Sequence, residues 1–348
     1  MEQITERQKT ILALVVRDYI ETAQPVGSNH LLERFKLDVS SATVRNEMAA
    51  LTEAGYLRQP HASAGRIPSE DGYRYFVTHY VYQTDLPEPT RHTITHQFYQ
   101  ARQDVDQWMH LAVSILANQS RAASLITAPH SEKSNFKHLE LISTQGRQVL
   151  MVLVLVGGEI LQQILTLAEP ASQEQLSSAA DRLNKVCMGL STEEISNLNV
   201  QLNNLEQDIL VLLLDDMNQG DKRTSGEMYL DGLTNVLSEP EFIESSEAHH
   251  TLRMFEERSL LQDLLSRTTT NGEVGNVQVL IGGEGEFQEL KQCSVVLARY
   301  GIPGIATGAL GVFGPMRMSY SKNIPTVRFM ADLLSGLESE TMLGDETK

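Results

Sequence analysis

Cysteine is scarce. The 348-residue chain has two, Cys187 and Cys293, far apart and with no His or Cys neighbour at metal-ligand spacing. That excludes a disulfide framework and a zinc-finger-like site, and fits two ordinary thiols in a reducing, cytoplasmic compartment. Long apolar runs are missing too. The longest, Val149 to Val156, falls far short of the roughly 20 residues a spanning helix needs, so no membrane association is expected. The opening Met-Glu-Gln-Ile-Thr-Glu has neither a basic start nor an apolar stretch before a small-residue site, so no signal peptide is expected. Signatures of catalysis are also lacking. Gly282, Gly283 and Gly285 do not spell G-x-G-x-x-G, and no Gly-Lys-Ser/Thr follows them. The glycines between Gly301 and Gly314 are explained more simply by turns between short strands. His249 and His250 are adjacent, so on a helix they project in different directions. No Ser/His/Asp set or carboxylate pair stands out. Neither an enzyme, a cofactor nor a metal is expected.

The charge is one-sided: 28 Lys and Arg against 45 Asp and Glu give a net −17, an unpromising balance for a nucleic-acid binder. Its distribution changes that reading. Residues 1–82 hold nine cations (Arg7, Lys9, Arg17, Arg34, Lys36, Arg45, Arg58, Arg66 and Arg74) and ten acids, a net of −1. The rest of the chain carries 19 basic and 35 acidic groups, a net of −16. Binding to phosphates depends on nearby charge, and screening acts over about 10 Å, so a remote acidic body does not forbid contact with DNA. It disfavours loose, non-specific binding.

The first eighty residues carry the clearest pattern. Thr5-Glu6-Arg7-Gln8 has the form of a capping box. Behind it Ile11, Leu12, Val15, Val16, Tyr19 and Ile20 recur at helical spacing, and Gln24-Pro25 ends the helix. Val26-Gly27-Ser28 opens a short second helix with Leu31, Leu32 and Phe35. After the turn Lys36–Val39, either Ser40 or Ser41 can cap a third helix that ends at Gly55. On that third helix Val44, Met48 and Leu51 form one apolar stripe, and Ala42, Arg45, Asn46, Ala49 and Glu53 fall on the far side. Such a face suits a recognition helix, because Arg pairs with guanine O6/N7 and Asn with adenine N6/N7. An ordinary amphipathic helix with a solvated face has the same pattern. The sequel tips the balance. Tyr56–Pro60 reads as a strand, His61–Gly65 as a small-residue turn and Arg66–Pro68 as a returning strand, which makes a wing after the helix. Arg58, His61 and Arg66 set cations along it, and the Ser63 and Gly65 tip lets backbone amides near phosphates. The expected nucleic-acid contacts are Ser41 and Thr43 to phosphates, Arg45 and Asn46 to bases, and Arg58, His61, Ser63, Gly65 and Arg66 from the wing. Arg66 is expected at its tip.

These segments also resemble a known family. The run Ser41-Ala42-Thr43-Val44-Arg45-Asn46-Glu47-Met48, then Leu51, Gly55-Tyr56-Leu57, Pro60 through Pro68 and Gly72-Tyr73-Arg74, is similar to the heat-inducible transcription repressors of the HrcA type. Pro25–Ser28, Tyr229–Leu233, Pro240–Phe242 and Gly311–Met318 extend the likeness from about residue 4 to about residue 338. The resemblance implies a negative regulator of chaperone genes that loses competence on heat stress. It implies binding, as a homodimer, to a double-stranded inverted-repeat operator called CIRCE, and a GroEL-type chaperonin as regulatory partner. It further implies a winged-helix domain, a GAF-like domain and a dimerising domain inserted into the latter.

The body of the chain fits that frame. Residues 69–82 read as a helix or linker, and Thr90 to Asn118 as a long helical stretch. Strands are expected at His138–Ser143, Gln148–Val156 and, after a Gly157-Gly158 turn, Glu159–Leu167. The apolar continuity of the middle one suggests a central place in a sheet. Ser172–Val186, Asn203–Asp215, Glu227–Leu237 and Leu252–Leu265 read as helices. Strands return at Val277–Ile281, Ser294–Ala298 and Ala309–Phe313, before a last helix near Val327–Leu337. Strands early and late with a helical block between them suggest one α+β domain interrupted by an insertion. The block can pack on its own domain or bury its stripes in self-association, which a two-fold operator favours. The expected division is 1–85 winged helix-turn-helix, 86–170 and 251–340 the two parts of the GAF-like domain, 171–250 the mostly helical dimerisation insert, and 341–348 a flexible tail. Two rival functions are a repressor whose GAF-like part senses a small metabolite and an enzyme with a DNA-binding appendage.

Overall fold

A computed structural model describes residues 4–61, 63–81, 85–101, 105–130, 135–156, 160–198, 200–222, 227–243, 261, 264–265, 273–282 and 290–343. The architecture is α+β. Three helices open it: α1 (Glu6–Thr22), α2 (Ser28–Phe35) and α3 (Ser41–Glu53). The Thr5–Gln8 capping box starts α1, with Thr5 N donating to Gln8 Oε1 at 2.9 Å and Gln8 N to Thr5 Oγ1 at 3.3 Å. Ile11, Leu12, Val15 and Val16 of α1, Leu31 of α2, and Val44, Met48 and Leu51 of α3 are all buried, so the three helices share one small core. A two-stranded hairpin, β1 (Leu57–Arg58) and β2 (Ile67–Pro68), follows, then α4 (Glu70–Phe76), which continues in a π-helical turn, Val77–Val81.

Among the described residues the body holds two further sheets. The helical stretch expected from about Thr90 to Asn118 is made of two helices, α5 (Glu88–Gln100) and α6 (Val105–Ser120). A five-stranded sheet has the order β7 (Met228–Asp231), β3 (Ala123–Thr127), β10 (Ala306–Pro315), β9 (Cys293–Ile302) and β8 (Val277–Ile281). Every residue of β10 and of β3 is buried, so both faces of the sheet's middle are covered. On one of them Leu125, Val236, Phe242, Leu261, Leu264, Val295, Leu297 and Phe313 form an apolar cluster. The last helix, α12 (Tyr320–Leu343), adds Ile324, Val327, Met330, Ala331 and Leu334 to the core.

The second sheet is antiparallel, in the order β4 (Phe136–Ser143), β5 (Gln148–Leu155) and β6 (Ile160–Thr166), with the apolar strand in the middle. It shares its core with α7 (Gln173–Cys187), α8 (Thr192–Ser196) and α9 (Asn204–Lys222), through residues such as Phe136, Leu141, Leu153, Leu176, Leu183, Ile195 and Leu213. Two compact units result. One is drawn from Met1–Ile126, Met228–Arg299 and Ala309–Leu337, the other from Thr127–Glu227, Tyr300–Gly308 and Glu338–Lys348.

Several expectations need correction. Strands β4–β6 were expected with the GAF-like part, ahead of an insertion starting at 171; they pack instead with α7–α9. Alternation along β4 and β5 gives each strand one buried face, and the helices that fill that face come after them in the chain. Glu227–Leu237 is not one helix but β7, a turn, and a short helix α10 (Leu233–Leu237), followed by α11 (Pro240–Ile243). Gly232 breaks it at φ 73°, where a Cβ would lie 2.5 Å from Ala122 O and 2.7 Å from Ala117 Cβ. Strand β3 was not expected at all, and the last helix is longer than expected at both ends, reaching Leu343 within the expected tail. Most of Leu252–Leu265, His249, His250, Gly283 and Gly285 lie outside the described residues. Among the described residues no helix is long and apolar enough to cross a membrane.

Candidate nucleic-acid interface

Helix α3 is held from behind and open in front. Ser40, the residue just before it, is the cap: Thr43 N donates to Ser40 Oγ at 3.1 Å, and the Thr43 and Ser40 hydroxyls lie 2.9 Å apart. Ser41 ties the helix to α2, its hydroxyl bonded to Asn29 Oδ1 and 3.1 Å from Ser28 Oγ. Behind, Val44 and Leu51 are fully buried. In front, Ala42, Arg45, Asn46 and Glu53 are exposed, and the side chains of Arg45 and Asn46 form no hydrogen bond with the described residues.

A buried carboxylate that was not among the expected residues ties α1 to α2. Asp18 is only 2% exposed, and its Oδ1 lies 2.5 Å from Arg34 Nη1 and 3.0 Å from His30 Nε2. Arg34 also pairs with Glu21. A carboxylate removed from water needs such partners. The signal was present: Asp18 follows Ile11 by seven positions and Val15 by three, which puts a charge on the buried stripe of α1.

The hairpin divides the remaining expected residues into two groups. Arg58 and Ile67 pair across it, with Arg58 turned to solvent and Leu57 to the core. Ala64 N donates to His61 O at 2.9 Å and Gln59 Nε2 to Ala64 O at 3.0 Å, which closes the turn and leaves His61 and Ser63 exposed. Gly65 and Arg66 are not at the tip. Arg66 exchanges backbone bonds with Val26, N to O at 2.8 Å in both directions, and its Nε donates to Thr52 Oγ1 on α3 at 2.9 Å. It is half-buried. A Cβ on Gly65 would lie 2.4 Å from Val26 O. The expectation of Arg66 at the tip gives way because the returning strand bridges to the chain ahead of α2, and that draws the residue inward.

The geometry therefore groups five of the nine expected residues (Arg45, Asn46, Arg58, His61 and Ser63) as exposed side chains, gives Ser41, Thr43 and Arg66 partners inside the protein, and packs Gly65 against the Val26 backbone. Three short helices and a hairpin, with an open Arg–Asn face on the third helix, are the build of a DNA-binding transcription regulator.

Residues 106–324 match the family model described as the HrcA protein C terminal domain. The chain belongs to the HrcA family of heat-inducible transcription repressors. The HrcA repressor of Roseiflexus castenholzii is 40% identical over 345 residues, covering 97% of this chain and 95% of its own. That of Thermomicrobium roseum is 38% identical over 344 residues, covering 99% and 98%. A crystal structure described as a hypothetical protein at 2.2 Å resolution shares the fold with a TM-score of 0.63 at 23% identity, spanning 97% of this chain and 100% of its own. The family is one of repressors, not enzymes. Among the described residues no group of three or more His, Cys, Asp or Glu is arranged to hold a metal ion.

Proposed function

We propose that the chain represses heat-shock genes by laying α3 in the major groove of an inverted-repeat operator of the CIRCE type, as a homodimer. The observation that carries this is the open pair Arg45–Asn46, whose side chains are exposed and without a hydrogen bond to the described residues, on a helix whose opposite face is buried. Residues 1–85 act as a winged helix-turn-helix, with Arg58, His61 and Ser63 meeting the backbone beside the groove. Ser41 and Thr43 position α3 and its cap close to phosphates, and Gly65 and Arg66 set the wing. The five-stranded sheet and its helices form the GAF-like body. The unit containing β4–β6 and α7–α9 supplies the dimer contact. Its apolar Ile160 and Ile164, 57% and 62% exposed, and Val211, 66% exposed, support that role. A two-fold operator calls for such a dimer. A GroEL-type chaperonin is the partner that keeps the repressor competent.

The test is fluorescence anisotropy of the purified protein with a CIRCE-type inverted-repeat duplex and with a scrambled one, at physiological salt, with and without chaperonin. The expected result is selective binding that needs both half-sites and strengthens with chaperonin. Arg45→Ala should cost about 1–3 kcal/mol and relax preference at one base pair. An equal loss on both duplexes would make Arg45 a phosphate contact. Equal, weak wild-type binding to both duplexes would point to a different operator.

A further inference from the structure

Helix α4 has its two sides committed to different parts of the protein. On the side of the recognition helix, Ser69 Oγ donates to Gly55 O at 2.5 Å and Ser69 N to Tyr56 O at 3.1 Å, just where α3 ends. Gly72 sits so close to this exit that a Cβ there would lie 2.2 Å from Tyr56 O. On the side of the body, Arg74 Nη2 donates to Ile281 O of β8 at 3.3 Å. Glu70 lies against Gly282, where a Cβ would come 2.4 Å from its Cδ. The buried ring of Tyr73 lies 6.0 Å from that of Tyr320, the first residue of α12. The Tyr320 hydroxyl is itself fixed, 2.7 Å from Ser294 Oγ of β9 and 2.6 Å from Met316 O. A short chain of packed groups thus runs from β9 through Tyr320, Tyr73 and the α4 backbone to the end of α3.

One link in it is weak. The Tyr73 hydroxyl is buried without a hydrogen-bond partner among the described residues, and burial raises its pKa well above that of an exposed tyrosine. A buried donor left unpaired loses its water without recompense, so the contact that buries it is easier to open.

We propose that α4 is the element through which the body positions the recognition helix, and that heat releases DNA by parting Tyr73 and Arg74 from Tyr320 and β8 while the three-helix core stays folded. These are positioning residues, without contact to DNA. The inference rests on the reading of α3 as the operator-binding helix. Its direction is specific: strengthening the α4 contact raises the temperature of release, and weakening it lowers that temperature. Tyr73→Phe keeps the ring and removes the unpaired hydroxyl. Arg74→Ala removes the bond to Ile281.

The experiment uses the full chain on the labelled inverted-repeat duplex, following anisotropy through a temperature ramp beside far-UV circular dichroism of the same samples. For Tyr73→Phe the midpoint of duplex release should rise by about 2–4 °C, and for Arg74→Ala it should fall by a similar amount. Affinity at low temperature should stay within about twofold, and the dichroism midpoint should move less than the release midpoint. Equal shifts in both midpoints would reduce α4 to an ordinary stabilising element. Unmoved release in both variants, or a fall with Tyr73→Phe, would also overturn the proposal. Loss of low-temperature affinity would mean a direct DNA contact and would overturn it as well. A wild-type protein that fails to select the duplex defeats the operator reading instead, so the two failures are distinct.

Discussion

Val26 and Arg66 exchange two backbone hydrogen bonds of 2.8 Å, joining the chain ahead of α2 to the returning limb of the hairpin. The bridge needs Gly65, because any side chain there would run into the Val26 carbonyl at 2.4 Å. Gly65→Ala should break the bridge, cost about 2 kcal/mol or more through the forced backbone shift, and loosen the hairpin. Thermal denaturation should show the loss, and operator affinity should fall. If affinity falls while the melting temperature holds, Gly65 meets the DNA backbone directly.

That prediction also marks where the sequence was legible. Periodicity gave α1 and α3 because each has a one-sided apolar stripe, and the pattern of Val44, Met48 and Leu51 sufficed to leave Arg45 and Asn46 outside. It could not separate Arg58, which stays exposed, from Arg66, which is drawn inward by a partner forty residues earlier. Such non-local bridges leave no periodic mark. The strands Ala123–Thr127 and Met228–Asp231 were missed for a related reason. Each is short, and its strand state is set by neighbours far along the chain, not by its own alternation. Asp18, by contrast, was legible and overlooked.

Asp18 provides the second prediction. Asp18→Asn keeps the shape and removes the charge that holds Arg34 and His30 against α1. The three-helix unit should melt several degrees lower, since the buried Asp18 side chain loses its charge-assisted bond to Arg34, while Arg34 and His30 stay partly in water. Operator affinity at low temperature should weaken as the angle of α2, and with it Ser28 and Asn29 behind Ser41, relaxes. An unchanged melting temperature would show that Arg34 and Glu21 suffice without it.

The outer strand β4 is covered by side chains of α7. Leu139 N donates to Asn184 Oδ1 at 2.7 Å and Asn184 Nδ2 donates back to Leu139 O at 3.0 Å; Gln173 does the same for Ser143 N and Leu141 O. An uncovered edge is a template for pairing with another chain. Asn184→Ala should cost about 1–3 kcal/mol for the two unpaired backbone groups, and should promote self-association on warming. Light scattering beside calorimetry tests this. Unchanged scattering with lower stability would make the pair a stabilising contact only.

Glu338 is expected to make stability depend on pH. It lies in α12, 5% exposed, with neither carboxyl oxygen bonded among the described residues, and Gly301 beside it could not take a Cβ without coming within 2.8 Å of its Oε2. Burial pushes its pKa from the ordinary 4.5 up to about 7. Between those two values the folded chain holds a proton that the unfolded chain has released. The contribution is therefore fully present below about pH 4.5 and is lost as pH rises toward 7, a cost on the order of 2–3 kcal/mol by neutrality. Glu338→Gln, neutral at every pH, should flatten this slope and raise the melting temperature at pH 7.5 more than at pH 5. Calorimetry from pH 5 to 8 on both proteins decides it. Parallel curves would mean that Glu338 is ionised and solvated in the folded chain. Converging curves at low pH would mean that the repressor's tolerance of heat is tied to the proton on this one buried carboxyl.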